Sequence, residues 1–219
     1  MTMVYVLFFL TTTIVITFFF RFALIKKNIF FFLLVLDLFI NELILLVTAT
    51  LGIQNHAVAN INTFIYCSST IFVLFRILET IKGKTNKLKF IKYTILVISL
   101  LGLSLENFVF ENIYLYNSFF SSIISFMFVI LCIYLVNLML YIKNYNILKD
   151  SDGLVLIGIL IRSFFSGLIL LFLNYRMKFS NDFYTNISIL VNLALIISNI
   201  FFLSAVICLP KKMKHTWPF

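Results

Sequence analysis

The sequence predicts an all-α membrane protein, a seven-transmembrane-helix bundle with its N-terminus outside and its C-terminus cytoplasmic. Three observations lead there. The chain of 219 residues is 63% hydrophobic and only 11% charged. Windows of about twenty apolar residues, enough to cross a hydrocarbon core, recur along its whole length. Segments rich in Lys and Arg alternate with segments that are almost free of them.

The expected spans are 3–20, 28–50, 61–80, 93–110, 118–141, 153–173 and 186–209, all within one transmembrane domain. Of the seventeen basic residues, thirteen follow odd-numbered spans. They are Arg21, Lys26 and Lys27; Lys82, Lys84, Lys87, Lys89 and Lys92; Lys143 and Lys149; and Lys211, Lys212 and Lys214. The opposite connections hold no Lys or Arg around His56 or Glu111, and only Arg176 and Lys178 in the third. The positive-inside rule then sets the orientation, and a six-span arrangement would put the basic tail on the wrong side.

Span one has no positive residue before it and Arg21, Lys26 and Lys27 after it, the reverse of a secretory signal. It is expected to stay as a helix inserted N-terminus outward. Connections of at most about a dozen residues leave no room for a soluble domain. The net charge of +9 serves to hold cytoplasmic loops against anionic lipid. Nucleic acid is excluded as a partner because the basic residues are divided among short loops.

Span two carries Asp37, Asn41 and Glu42, three polar groups at mid-membrane depth. The first two are one helical turn apart, and the third lies close beside their face. Charges at that depth are costly and seek partners. Asp37 and, in span six, Arg162 each lie about nine residues from the cytoplasmic end, roughly 14 Å in at 1.5 Å per residue. An Asp37–Arg162 ion pair is the expectation. Near the cytoplasmic rim of span three, Arg76 and Glu79 are three residues apart and can pair along their own helix or snorkel to the interface.

On the outer side, Glu106 and Asn107 end span four, and span seven places Ser188, Asn192 and Asn199 on one face. An outward-opening polar pocket of Asn41, Glu42, Glu106, Asn107 and Asn192 is therefore the candidate binding site. Ser163 with Gly167, Ser118 with Ser122, and Ser121 with Ser125 have the one-turn spacing of small residues that permits close helix contact. The phenylalanine runs 18–20 and 30–32 are expected to face lipid.

Several chemistries are excluded. The two histidines, His56 and His215, lie outside the spans, so no haem or multi-histidine zinc site is expected. Span seven has no lysine for a retinal Schiff base. Cys67, Cys132 and Cys208 are scattered, without a CxxC pair, and no disulfide is expected. No nucleotide-binding or hydrolase motif occurs, so neither an enzyme activity nor a cofactor is expected. Both prolines, Pro210 and Pro218, lie at or beyond the end of span seven, and glycines number six. Broken helices of the kind many transporters use are therefore not indicated.

With Glu42 in span two and Asn62-Thr63-Phe64-Ile65-Tyr66 opening span three, the chain resembles small seven-helix membrane proteins of Bacteroidota-type bacteria. These are similar to the membrane sensor regions of seven-helix histidine kinases, without the kinase. The chain departs from the pattern at Cys67, Ser68 and Ser69, where an acidic residue is often found. The resemblance implies a sensor-like or accessory module of a bacterial inner membrane. Such a module would act through a separate signalling protein such as a histidine kinase, read at segment 82–92 or the tail 211–219.

Two alternatives stand beside it. One is a small-molecule or ion transporter or channel lined by Asp37, Glu42 and Arg162; sugar carriers with a three-plus-one-plus-three layout share the topology but have proline motifs absent here. The other is a structural subunit of a membrane complex. A polar path reaching both rims, or quasi-symmetry between spans one to three and five to seven, would favour transport. A pocket closed toward the cytoplasm would favour sensing.

Overall fold

The computed structural model describes residues 2–20, 29–51, 56–110, 119–143, 147–174 and 181–209. Among these are seven long helices and no strand: α1 (Thr2–Phe20), α2 (Ile29–Leu51), α3 (His56–Lys82), α4 (Asn86–Leu105), α5 (Phe119–Lys143), α6 (Ser151–Asn174) and α7 (Asn181–Cys208). Helices α2 to α7 are each long and apolar enough to cross a membrane. The described apolar stretch of α1, Tyr5–Phe20, is shorter. In hydrocarbon only a helix or a closed barrel satisfies the backbone internally, so this helical chain is an integral, multi-pass membrane protein whose outer faces meet lipid.

The helices form a closed ring of six in the order α1, α2, α3, α5, α6, α7, with α7 returning to α1, and α4 packs outside the ring against α3. Opposite members are α1 with α5, α2 with α6, and α3 with α7. The exposed apolar residues Phe9, Phe20, Phe90, Ile98, Ile130 and Ile207 cover the outside, as expected where the solvent is lipid.

Helix ends follow local chemistry rather than hydropathy. Gly83 takes the left-handed conformation (φ +84°) just past α3 and returns its N–H to the Glu79 carbonyl at 3.0 Å. Two residues later the Thr85 hydroxyl accepts the Leu88 N–H at 3.2 Å and caps α4. Lys87, Lys89 and Lys92, expected before span four, therefore lie in the first turns of α4 itself. A hydropathy window stops where apolar residues stop, whereas a capped helix of Lys-rich sequence continues. Helix α3 likewise begins at His56, five residues before the expected span.

Small residues set the closest packing. A Cβ at Gly158 would meet the Phe202 ring at 2.6 Å, and one at Gly167 would meet Ser125 Cβ at 3.2 Å. The Ser198 hydroxyl donates to the Gly158 carbonyl at 2.8 Å, and the Ser151 hydroxyl to the Ala205 carbonyl at 3.0 Å, joining α6 to α7. Ser121 and Ser125 are buried on α5, while Ser118 lies outside the described residues.

The phenylalanine runs do not simply face lipid. Phe18 and Phe31 are buried and meet edge to face at 5.3 Å, Phe31 continues to Phe202 at 6.0 Å, and Phe30 stacks on Phe72 at 4.8 Å. Three consecutive helical residues cover about 200° of the surface, so at least one turns inward. Phe19 and Phe20 are the ones left exposed.

Candidate functional site

Four helices each contribute a polar pair one turn apart to a common cavity of about 250 Å³. The pairs are Asp37 and Asn41 of α2, Asn62 and Tyr66 of α3, Ser121 and Ser125 of α5, and Arg162 and Ser166 of α6. One-turn spacing keeps both members of each pair on the face turned to the ring interior. Asn41, Asn62, Tyr66, Ser121, Ser125 and Ser166 lie between the middle of their helix and the end remote from the basic turn at 82–89, with Arg162 at mid-helix and Asp37 just on the basic side of it. Below them the interior is largely apolar, with Leu34, Val35, Leu74, Leu135, Leu156 and Phe202 buried, and the buried polar groups there include Ser151, Ser198 and Asn199. The cavity therefore occupies one half of the bundle, and tight packing fills the other.

Arg162 stands at its centre. Its Nη2 lies 3.7 Å from Glu42 Oε1, with the Arg162 and Glu42 side chains 9% and 1% exposed. The guanidinium also lies 5.9 Å from the centroid of the Tyr66 ring. This distance suits a cation–π contact. The Tyr66 hydroxyl is in turn 3.5 Å from the Ser163 hydroxyl. Among the described residues, Arg162 Nη1 and Glu42 Oε2 are buried without a hydrogen-bond partner, and of the two residues it is Arg162 that lines the cavity, where a polar ligand or an ordered water would satisfy it.

The sequence pairs Arg162 with Asp37, whereas the carboxylate at ion-pair distance is Glu42. Asp37 lines the same cavity and is close enough to interact with the Arg162 charge, but among the described residues forms no ion pair of its own. Depth explains the exchange. Helix α6 starts at Ser151, before the expected span, so Asp37, Arg162 and Glu42 lie eight, eleven and thirteen residues from their helix starts. At 1.5 Å per residue these are about 12, 16 and 20 Å, which puts Arg162 between the two carboxylates. Arg162 is two residues of rise from Glu42 and three from Asp37, so Glu42 is the nearer carboxylate in height.

The five residues of the expected outward pocket do not share one space. Asn41 lines the cavity and accepts a hydrogen bond from Asn62 Nδ2 at 3.2 Å. Glu42 is held by Arg162. Glu106 and Asn107 begin a π-helical turn, Glu106–Phe110, that ends α4 outside the ring. Glu106 Oε1 accepts the backbone N–H groups of Phe119 and Phe120, so its carboxylate ties α4 to the first turn of α5. The Asn107 amide donates to the Leu103 carbonyl at 2.8 Å. Asn192 is half-buried and does not line the cavity. Of its expected companions on α7, Ser188 is exposed and Asn199 fully buried. Sequence periodicity gives the face of a residue, not whether α4 stands inside the ring.

At the basic end, Glu79 pairs with Lys92 of α4 at 3.1 Å, not with Arg76. The tight turn at Gly83 folds α4 back along α3 and offers Lys92, whose Nζ also lies 5.5 Å from the Phe72 ring centroid. Lys82 donates to the Tyr134 hydroxyl and links the end of α3 to α5. Cys67 and Cys132 are buried free thiols, and Cys208 is an exposed one.

Asn62, Tyr66 and Ser166 are cavity residues that no charge-centred reading of the spans selects. The signal was present in the sequence as four polar pairs at one-turn spacing, each in a different span. Fold and site define a class, a multi-pass helical membrane protein with a polar cavity in one half of its bundle. No family model, curated protein or solved structure matches the chain.

Proposed function

We propose that the chain is a sensor-like module that binds the polar head of a small molecule in this cavity and acts through a separate partner protein. The protein sits in a bacterial inner membrane with its N-terminus outside, and the cavity opens away from the cytoplasm. The observation that carries the reading is the division of the bundle. Polar residues line one half from Leu45 and Leu170 down to Asp37 and Arg162, and apolar packing closes the other. A site with one closed side suits recognition better than passage.

Arg162 supplies a cation, Asp37 a carboxylate, and Asn41 and Asn62 amide groups, which together match a small molecule bearing both donors and acceptors. Occupancy would shift α6 against α2 and α3. The change would reach the basic end through α3, where Lys82–Tyr134 and Glu79–Lys92 tie α3 to α5 and α4. A partner such as a histidine kinase would meet the chain there. This is also what the resemblance at Glu42 and 62–66 implies.

The test is thermal stabilisation of the purified protein in nanodiscs by a panel of amino acids, amines and sugars. A ligand at 100 times its Kd stabilises by about 2.7 kcal/mol. R162Q should abolish the shift, and the same ligand should not be taken up by proteoliposomes. If no compound shifts the transition, the reading fails.

One observation favours a carrier as the second reading. The ring order sets α1 to α3 against α5 to α7 with α4 outside, and its central charges come from the opposite helices α2 and α6. That arrangement matches a parallel repeat of three helices. Uptake of the stabilising ligand into proteoliposomes would decide for it.

A further inference from the structure

A second hollow, of about 290 Å³, lies between α2 and α3 on the outside of the ring. Its walls are apolar: Phe30, Leu33 and Leu36 of α2, and Ile65 and Phe72 of α3. Leu33, Ile40 and Ile65, which line it, are each at least 40% exposed. At this depth the medium in contact with them is lipid. Asp37 and Asn62 line both this crevice and the interior cavity. The wall between the two spaces is therefore these two side chains, and the bond from Asn62 to Asn41 at 3.2 Å closes it.

Charge selects what would pass. Within the cluster, Arg162 pairs with Glu42 at 3.7 Å, and among the described residues Asp37 has no ion pair. Two carboxylates therefore stand beside one guanidinium. An added ammonium group would give the Asp37 carboxyl a counter-charge, whereas an added carboxylate would compete with Glu42 for Arg162. The apolar crevice runs from Phe30 to Ile40, ten residues of α2 or about 15 Å, which suits one hydrocarbon chain.

Resting on the cavity reading above, we infer that the ligand is a single-chain lipophilic amine that reaches the cavity sideways from the bilayer between α2 and α3. Its ammonium head meets Asp37, and its chain lies in the crevice walled by Phe30, Leu33, Ile65 and Phe72. The bilayer concentrates such a molecule at the window, and parting of the Asn41–Asn62 bond admits the head.

The test uses the full chain in nanodiscs and a dodecylamine bearing a photoactivatable diazirine, with the matching alcohol and carboxylic acid as controls and butylamine as a water-soluble probe. The amine should label peptides of α2 and α3 at least tenfold more than either control, and D37N should remove that preference. I65W, which fills a lipid-facing position of the crevice, should reduce dodecylamine labelling at least tenfold while leaving stabilisation by butylamine unchanged. Melting of each variant confirms that it is folded, and I65W keeps the test valid if D37N is not. Equal labelling by amine and alcohol, or dodecylamine labelling indifferent to I65W, overturns the inference. If neither amine binds but another compound of the panel stabilises the protein, the inference falls and the cavity reading stands. If no compound does, both fall.

Discussion

Arg162 and Glu42 face one another across the ring, Nη2 to Oε1 at 3.7 Å, from helices that are opposite members of the six. Helices α2 and α6 share little direct packing, so this ion pair and the cavity residues around it are what couple them. Both side chains are buried, in a setting where an unpaired charge is costly.

Removing one partner should therefore be far worse than removing both. Glu42→Gln, which leaves the guanidinium buried beside a neutral amide, is expected to destabilise the fold by about 3–5 kcal/mol. A double replacement, Glu42→Leu with Arg162→Met, should recover most of that loss, because two apolar chains need no counter-charge. Reversible unfolding in bicelles measures the cycle. Additive single effects would mean that the pair contributes no coupling.

The seam between α6 and α7 offers a contrast in size. Ser198→Ala removes one hydrogen bond between helices and should cost about 0.6 kcal/mol, the average for such bonds in membrane proteins. Gly158→Ala places a methyl group 2.6 Å from the Phe202 ring and should cost about 1–3 kcal/mol through overpacking. The same unfolding assay ranks them. A larger loss for Ser198→Ala than for Gly158→Ala would show that the seam is held by polar contact rather than by close approach.

Orientation is open to direct chemistry. With Cys208→Ser as background, a cysteine at the exposed Lys84 should react with a membrane-impermeant maleimide only after permeabilisation. One at the exposed Thr185, at the opposite end of the bundle, should react in intact cells. The reverse pattern would invert the topology and turn the cavity toward the cytoplasm.

In the sequence, long apolar windows were by themselves enough to establish that the chain is helical and embedded in a membrane, whereas the ends of α3, α4 and α7 differ from the expected spans by five residues or more. The spans 28–50 and 118–141 meet α2 and α5 within two residues at either end, because burial in hydrocarbon demands long apolar windows and satisfied backbones. The sequence also identified Asp37, Asn41, Glu42 and Arg162 as mid-membrane polar groups, since few residues of that kind occur there. What only the tertiary structure decided is how those groups meet. Whether Arg162 takes Asp37 or Glu42 turns on a height difference of a few residues between α2 and α6. Whether Glu106 lines a pocket or caps α5 turns on α4 standing outside the ring. Periodicity places a residue on a face of its own helix; which helix that face meets is set by packing among all seven, and no local spacing encodes it.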